Sequence, residues 1–313
     1  MNQSWRQIFH LILVGIFFGV LTGSAGTGFS SVLKKNDFAA IFISDTHISN
    51  DTTKDERLTF LVNQINSGAF SGVELLLHGG DVVASVYDEH PRKFPEKARN
   101  RLAKAVAILN KLNIPFHLAM GNHDYKIWRN RDSDAYFPQE EILQMENIWE
   151  KHTGFKPYYA VIHNGWNFII LNSMRGRYLQ RHFDDEQIRF FEQELKRGLP
   201  AIVVSHFPLK TDHFRIWSWP KDLVTRTKEP SFFSLLETYQ EKIKGIFVGH
   251  GHMWRDDVLF GKIPVYEVAG FGDARESVFY LITFNNANKK ITVLKKEIPI
   301  SSSVVETQSQ RER

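Results

Sequence analysis

The chain has 313 residues, a length and composition that fit one domain behind a processed leader, with no internal repeat. A formal net charge of +4 without any dense lysine or arginine run suits an anionic small ligand and argues against sequence-specific nucleic-acid binding. The absence of cysteine excludes disulfides, thiolate metal ligands and a lipidated leader.

Arg6 precedes an uncharged run, IFHLILVGIFFGVL, and the small residues Thr22, Gly23, Ser24, Ala25 and Gly26 follow. Residues 1–26 therefore read as a signal peptide, and a periplasmic or secreted protein is expected. The competing reading is an uncleaved inner-membrane anchor with the domain facing the periplasm, because no charge interrupts Ile8 to Phe29. Only in that case does the chain have a membrane partner. A core helix would need a polar face, which this run lacks.

A domain over residues 37–300 follows, opening with FAAIFIS before Asp45. A helix is predicted from Asp55 to Asn66, with Leu58, Leu61, Val62 and Ile65 at helical spacing and a stop at Gly68. VELLLHG leads to Asp81, and Pro95 opens a basic amphipathic helix to about Leu112. IPFHLAM leads to Asn122, and Asn164-Gly165 between β-rich runs marks a hairpin. A helix starting near Asp184 or Asp185 and ending at Gly198 precedes AIVVS and His206. Another spans Phe232 to about Ile243, before IKGIFVG and His250. VYEVAG, VFYLITF and KITVLKKEI, the last two around the turn NNAN, read as antiparallel strands, and residues 301–313 as a flexible tail. The strands before the polar patches are nearly continuous apolar runs, as expected when both sheet faces are covered. Loops beyond the carboxyl ends of such strands converge in space.

Five polar patches end these runs: SDTH, GGD, GNHD, SHFP and GHGH. They place Asp45, His47, Asp81, Asn122, His123, His206, His250 and His252 at strand ends, enough carboxylate, amide and imidazole for two metal ions. Mixed oxygen and nitrogen ligands suit manganese, iron, zinc or cobalt, as divalent or mixed-valence ions, better than calcium or magnesium. Taken singly, Asp45 and Asp81 could cap helices, Asn122 could be a turn residue and His206 a loop histidine. In combination the metal reading prevails, and the GHGH pair has little packing value. His78 reads as a satisfied core residue, and His213 and Arg215 as a solvated loop that could overhang the site. The stretch around Arg129 and Arg131 reads as an insertion loop, with phosphate binding there a minority reading.

The ordered set Asp-x-His, Gly-Asp, Gly-Asn-His-Asp, His and Gly-His-x-His resembles the calcineurin-like metallophosphoesterase superfamily from about Phe38 to Phe284. One such motif is a weak signal; five in order are specific. The resemblance implies an α/β fold, a four-layer α/β/β/α sandwich with a dinuclear metal site at strand C-terminal ends. It implies that Asp45, His47 and His252 hold one metal, that Asn122, His206 and His250 hold the other, and that Asp81 bridges them. His123 would be the general acid toward the leaving group, with Asp124 behind it. The implied activity is hydrolysis of a phosphate mono- or diester in a small phosphorylated substrate, by attack of a hydroxide held between the ions. His47 and the Val82-Val83-Ala84 run after Asp81 depart from purple acid phosphatases, and the arginines of the protein phosphatases have no clear counterpart. The compact motifs resemble bacterial members similar to class III cyclic-nucleotide phosphodiesterases. The alternative is a catalytically silent binding scaffold on the same fold, but every ligand position and His123 are filled.

Overall fold

The computed structural model describes residues 36–128, 139–174, 183–215, 223, 229–273 and 276–299. The leader, Arg129 and Arg131, and the tail at 301–313 lie outside these residues. No helix among the described residues is long and apolar enough to cross a membrane.

The layering begins with β1 (Phe38–Ile43), whose residues are all buried. Its side chains alternate: Phe38, Ala40 and Phe42 join one apolar cluster, Ile41 and Ile43 another. β1 runs parallel to β2 (Val73–His78), and β2 parallel to β3 (Phe116–Leu118). On its other side β1 pairs antiparallel with β10 (Ser277–Asn285), which pairs antiparallel with β11 (Lys290–Ile298). The first sheet thus has the order β11-β10-β1-β2-β3.

The second sheet is built from β4 (Tyr159–His163), β5 (Trp166–Ile170), β6 (Ala201–Val204), β7 (Ile243–Val248), β8 (Arg255–Leu259) and β9 (Ile263–Glu267). Its order is β4-β5-β6-β7-β9-β8, parallel from β5 to β9 with an antiparallel strand at each edge. Phe168, Ile202, Val204 and Phe247 of this sheet share a cluster with Phe38, Phe42, Leu77 and Phe284 of the first. Phe42 and Phe247 face each other with ring centroids 5.2 Å apart. Burying each such side chain contributes about 1.5–3 kcal/mol, which makes this seam a rigid platform.

Five helices occur among the described residues: α1 (Thr52–Asn66), α2 (Arg101–Leu109), α3 (Gln139–Thr153), α4 (Asp185–Lys196) and α5 (Phe232–Thr238). Leu58, Leu61 and Val62 of α1 join the outward residues of β1, and Ile188, Phe191 and Leu195 of α4 join Ala201 and Val203 of β6. The expected four-layer order of helix, sheet, sheet and helix is present.

Several boundaries differ from the sequence expectation, each for a local reason. α1 starts earlier, at Thr52, because the Asp51 carboxylate accepts from Thr53 N at 3.0 Å. α2 starts at Arg101 rather than Pro95. Arg99 N donates to Asp88 Oδ1 at 2.6 Å and Arg101 N to Val86 O at 2.8 Å, so this backbone is spent on the loop after β2. Asn100 then caps the helix through Ala103 N at 2.8 Å. α5 ends at Thr238, since Ile243 is already in β7. α3 has no counterpart in the sequence reading. The strand containing VYEVAG is antiparallel only to β8 and runs parallel to β7. The hairpin holds as expected, with Asn164 at φ 49° and Gly165 at φ 78°, both left-handed as a type I′ turn requires.

Candidate metal centre

The parallel cores of both sheets present their carboxyl ends at one edge, and hydrogen bonds stitch the loops there together. His206 Nδ1 donates across to Gly79 O at 2.9 Å, and Phe271 N to Ser44 O at 3.0 Å. All eight motif residues Asp45, His47, Asp81, Asn122, His123, His206, His250 and His252 meet at this edge, several lining a cleft of about 330 Å³.

The backbone there is forced into an unusual shape. Of nine non-glycine residues with positive φ among the described residues, five are Asp45, His47, Asp81, His250 and His252. Such conformations cost about 1–3 kcal/mol each and persist only where the surroundings over-determine them. Glycines make room: a Cβ on Gly121 would run into the Asp81 carboxylate and backbone, and one on Gly249 into Ser44 and Asp45.

The donors fall into two groups. In the first, Asp45 Oδ1 lies 3.3 Å from His252 Nε2 and 3.8 Å from His47 Nε2, with the two imidazole nitrogens 3.1 Å apart. In the second, Asn122 Oδ1 lies 3.0 Å from His206 Nε2 and 2.9 Å from His250 Nδ1, and those two nitrogens are 3.3 Å apart. Asp81 Oδ2 stands between the groups, 3.3 Å from His206 Nε2 and 3.7 Å from His47 Nε2. Imidazole nitrogens facing each other this closely need a proton or a cation between them. The donor set therefore fits two cations, each offered oxygen and nitrogen ligands.

Burial would raise the Asp45 carboxyl, but its hydrogen bond to His252 and the nearby imidazoles hold it below the usual carboxylate range. Asp81 is likewise held down against its burial, chiefly by His206. Burial pushes His47 down to about 4 and His250 down to about 3. His206 resists its burial and is raised to about 9 by Asp81; the Asp45 hydrogen bond, against partial burial, raises His252 to about 9. Near neutral pH each group thus contains one neutral imidazole and one imidazolium, with the Asp45 carboxylate in the first group and the Asp81 carboxylate between the two.

The sequence matches the model of the calcineurin-like phosphoesterase family over residues 39–254. The chain belongs to this family. As a calcineurin-like phosphoesterase it is a metal-dependent phosphoric ester hydrolase. Its fold is similar to that of a dimetal phosphatase from Danio rerio, at 14% identity, covering 82% of this chain and 98% of that one with a TM-score of 0.53. It is also similar to GAP50, the anchor in the inner membrane complex of Plasmodium, at 11% identity, 85% and 90% coverage and a TM-score of 0.50. Comparison with curated proteins finds no match by sequence.

One expectation about this phosphoesterase needs correcting. Asp124 does not stand behind His123: its carboxylate accepts from Gly121 N at 2.9 Å, Val83 N at 3.1 Å and Val82 N at 3.3 Å, tying two loops together. The partner of the His123 ring is the Ala84 carbonyl, 3.0 Å from Nδ1. A backbone acceptor has no residue-type signature, so the sequence could not reveal it. His78 is a satisfied core residue, as read, accepting from Gly80 N at 3.1 Å and bonded to Thr46 Oγ1 at 3.0 Å. His213 pairs with Asp257 at 2.8 Å and is not among the cleft residues.

Sequence reasoning also missed Asp273, which receives His252 Nδ1 at 2.5 Å, and Lys54, which lines the same cleft. Asp273 had a legible signal, since VYEVAGFGD repeats the pattern of an apolar run ending in glycine and aspartate. Its hydrogen bond fixes the ring so that Nε2 is left for the first donor group.

The charge arrangement yields a pH prediction. His206 and His252 are raised to about 9, and an imidazole must be neutral to bind a metal, so a cation held by either ring would displace about one proton below that pH. Metal affinity should rise by roughly tenfold per pH unit for each ion up to about pH 9 and then level off. Calorimetry in buffers of different ionisation enthalpy at pH 7 should show proton release; its absence would contradict the assigned protonation states.

Proposed function

We propose that the protein is a dinuclear phosphoesterase hydrolysing a phosphate mono- or diester. Asp45, His47 and His252 would hold one ion, Asn122, His206 and His250 the other, and Asp81 would bridge. The observation that carries this reading is the position of Asp81 Oδ2 between both donor groups, 3.3 Å from His206 Nε2 and 3.7 Å from His47 Nε2. The ligand mixture favours manganese, iron, zinc or cobalt. When bound, such a pair of ions supplies an activated water near neutral pH and neutralises charge on the phosphoryl group.

The remaining tasks fall to side chains. His123 N donates to Asp81 Oδ1 at 2.7 Å, which couples the GNHD loop to the bridging carboxylate. With Nδ1 committed to Ala84 O, the His123 ring has only Nε2 left for chemistry, and it lines the cleft beside His47 at a ring separation of 4.6 Å. A proton held at Nε2 is suited to the departing ester oxygen, a contribution of typically ~10²- to 10⁴-fold. Neutral rings at His47 and His250 keep the site from becoming anionic, so a phosphate group is attracted.

Three outcomes test the proposal. Asp81→Asn should lose metal from both positions with near-complete loss of turnover, whereas Asn122→Ala should empty chiefly one; metal analysis after dialysis decides. Near-normal turnover and full metal in Asp81→Asn would end the bridging assignment. His123→Ala should retain metal and slow alkyl phosphate esters by ~10²-fold or more, with a far smaller effect on nitrophenyl esters, which leave without a proton. Equal slowing of both would reduce His123 to an orienting role.

The apolar leader supports export of this enzyme, with the mature N-terminus within or just after the Thr22 to Gly28 segment. Intact-mass analysis of the native protein should find that new terminus; Met1 retained in a membrane fraction would support the anchor instead.

A further inference from the structure

The geometry points to Lys54 as a substrate-contacting residue that favours phosphomonoesters over diesters, an inference that rests on the phosphoesterase reading and narrows it. Among the described residues lining the cleft, Lys54 is the one with a permanent positive charge. It lies in the first turn of α1, and its side chain is only 18% exposed, so the ammonium is held at the rim rather than swinging in solvent.

The helix that carries it is pinned to the site. One turn further along the same face, buried Arg57 donates from Nη1 to Phe271 O at 2.9 Å and to Gly272 O at 2.7 Å. Gly272 N in turn donates to Asp45 O at 2.7 Å. The loop carrying Asp273 is thereby fixed between α1 and the end of β1, and Lys54 projects toward its tip.

The ammonium donors are unspent. The nearest carboxylate oxygen, Asp273 Oδ1, is 3.8 Å from Nζ, an ion-pair distance too long for a hydrogen bond. The other oxygen of Asp273 is committed to His252 Nδ1 at 2.5 Å. Among the described residues no other side-chain partner meets Nζ. A partly desolvated ammonium with free donors beside a phosphoryl site is a receptor for phosphate oxygen.

The choice between ester classes follows from charge and oxygen count. A phosphomonoester at pH 8 carries two negative charges and three terminal oxygens, whereas a diester carries one charge and two terminal oxygens. A fixed ammonium at the rim rewards the extra charge and the extra acceptor. Lys54 therefore raises the monoester above the diester in kcat/KM.

The test compares wild-type, Lys54→Met and Lys54→Arg proteins, each loaded with manganese, on 4-nitrophenyl phosphate and bis(4-nitrophenyl) phosphate. Lys54→Met should lower kcat/KM for the monoester by roughly 10- to 100-fold, as expected for loss of a charge-assisted hydrogen bond, and for the diester by less than about threefold. The inhibition constant for inorganic phosphate should rise along with the monoester effect, Lys54→Arg should keep most of the preference, and metal content should stay at the wild-type level in both. Equal losses on both esters, no loss on the monoester, metal loss in Lys54→Met, or a wild type that turns over the diester alone would overturn the assignment while leaving the phosphoesterase reading standing. A loaded wild type inactive on both esters would overturn that reading and this inference with it.

Discussion

Two carboxylates buried where the sheets meet govern the rest of this molecule. Asp45 is 0% exposed and Asp81 1% exposed, and a buried ionised carboxylate is tolerated only when paired and hydrogen-bonded. Backbone amides meet part of that demand, from His250 to Asp45 at 3.0 Å and from His123 to Asp81 at 2.7 Å. Imidazoles of His47, His206 and His252, at the ends of β1, β6 and β7, meet more of it. A site already organised to compensate concentrated negative charge is a site prepared for cations.

Holding that charge in place requires a backbone that departs from ordinary geometry. Left-handed residues at five of the site positions and glycines that admit close approach are sustained by the rigid aromatic seam between the sheets and by loop-to-loop hydrogen bonds. Asp124, buried among three backbone amides, is one of those fasteners. Its value lies in joining the GGD and GNHD loops, which keeps Asp81 and Asn122 in register with each other.

The donors around the centre are oriented by groups other than the motifs' own side chains. Gly79 O fixes His206, Ala84 O fixes His123 and Asp273 fixes His252, so each ring presents one defined nitrogen. Arg57 on α1 secures the Asp273 loop from outside. The candidate metal centre thus rests on a shell assembled from helix, loop and carbonyl groups as much as on the motif side chains.

Strands β1, β2, β6 and β7, the hairpin at Asn164-Gly165 and the motif residues were legible from the sequence alone, because covered parallel strands are written as continuous apolar runs and polar residues at their ends stand out. Helix lengths were less legible: the amphipathic pattern after Pro95 suited a helix, but pairing of Arg99 and Arg101 with the loop after β2 overrode it. The sequence by itself determined the family, the order of strands that carry the site, and the residue types available to bind metal. Only the tertiary structure decided the distances that set Asp81 Oδ2 between two donor groups, that His123 leans on a carbonyl rather than on Asp124, and that Lys54 lines the cleft. Those facts depend on distances between residues far apart in the chain and on backbone acceptors that every residue carries, and neither leaves a mark in residue type or spacing.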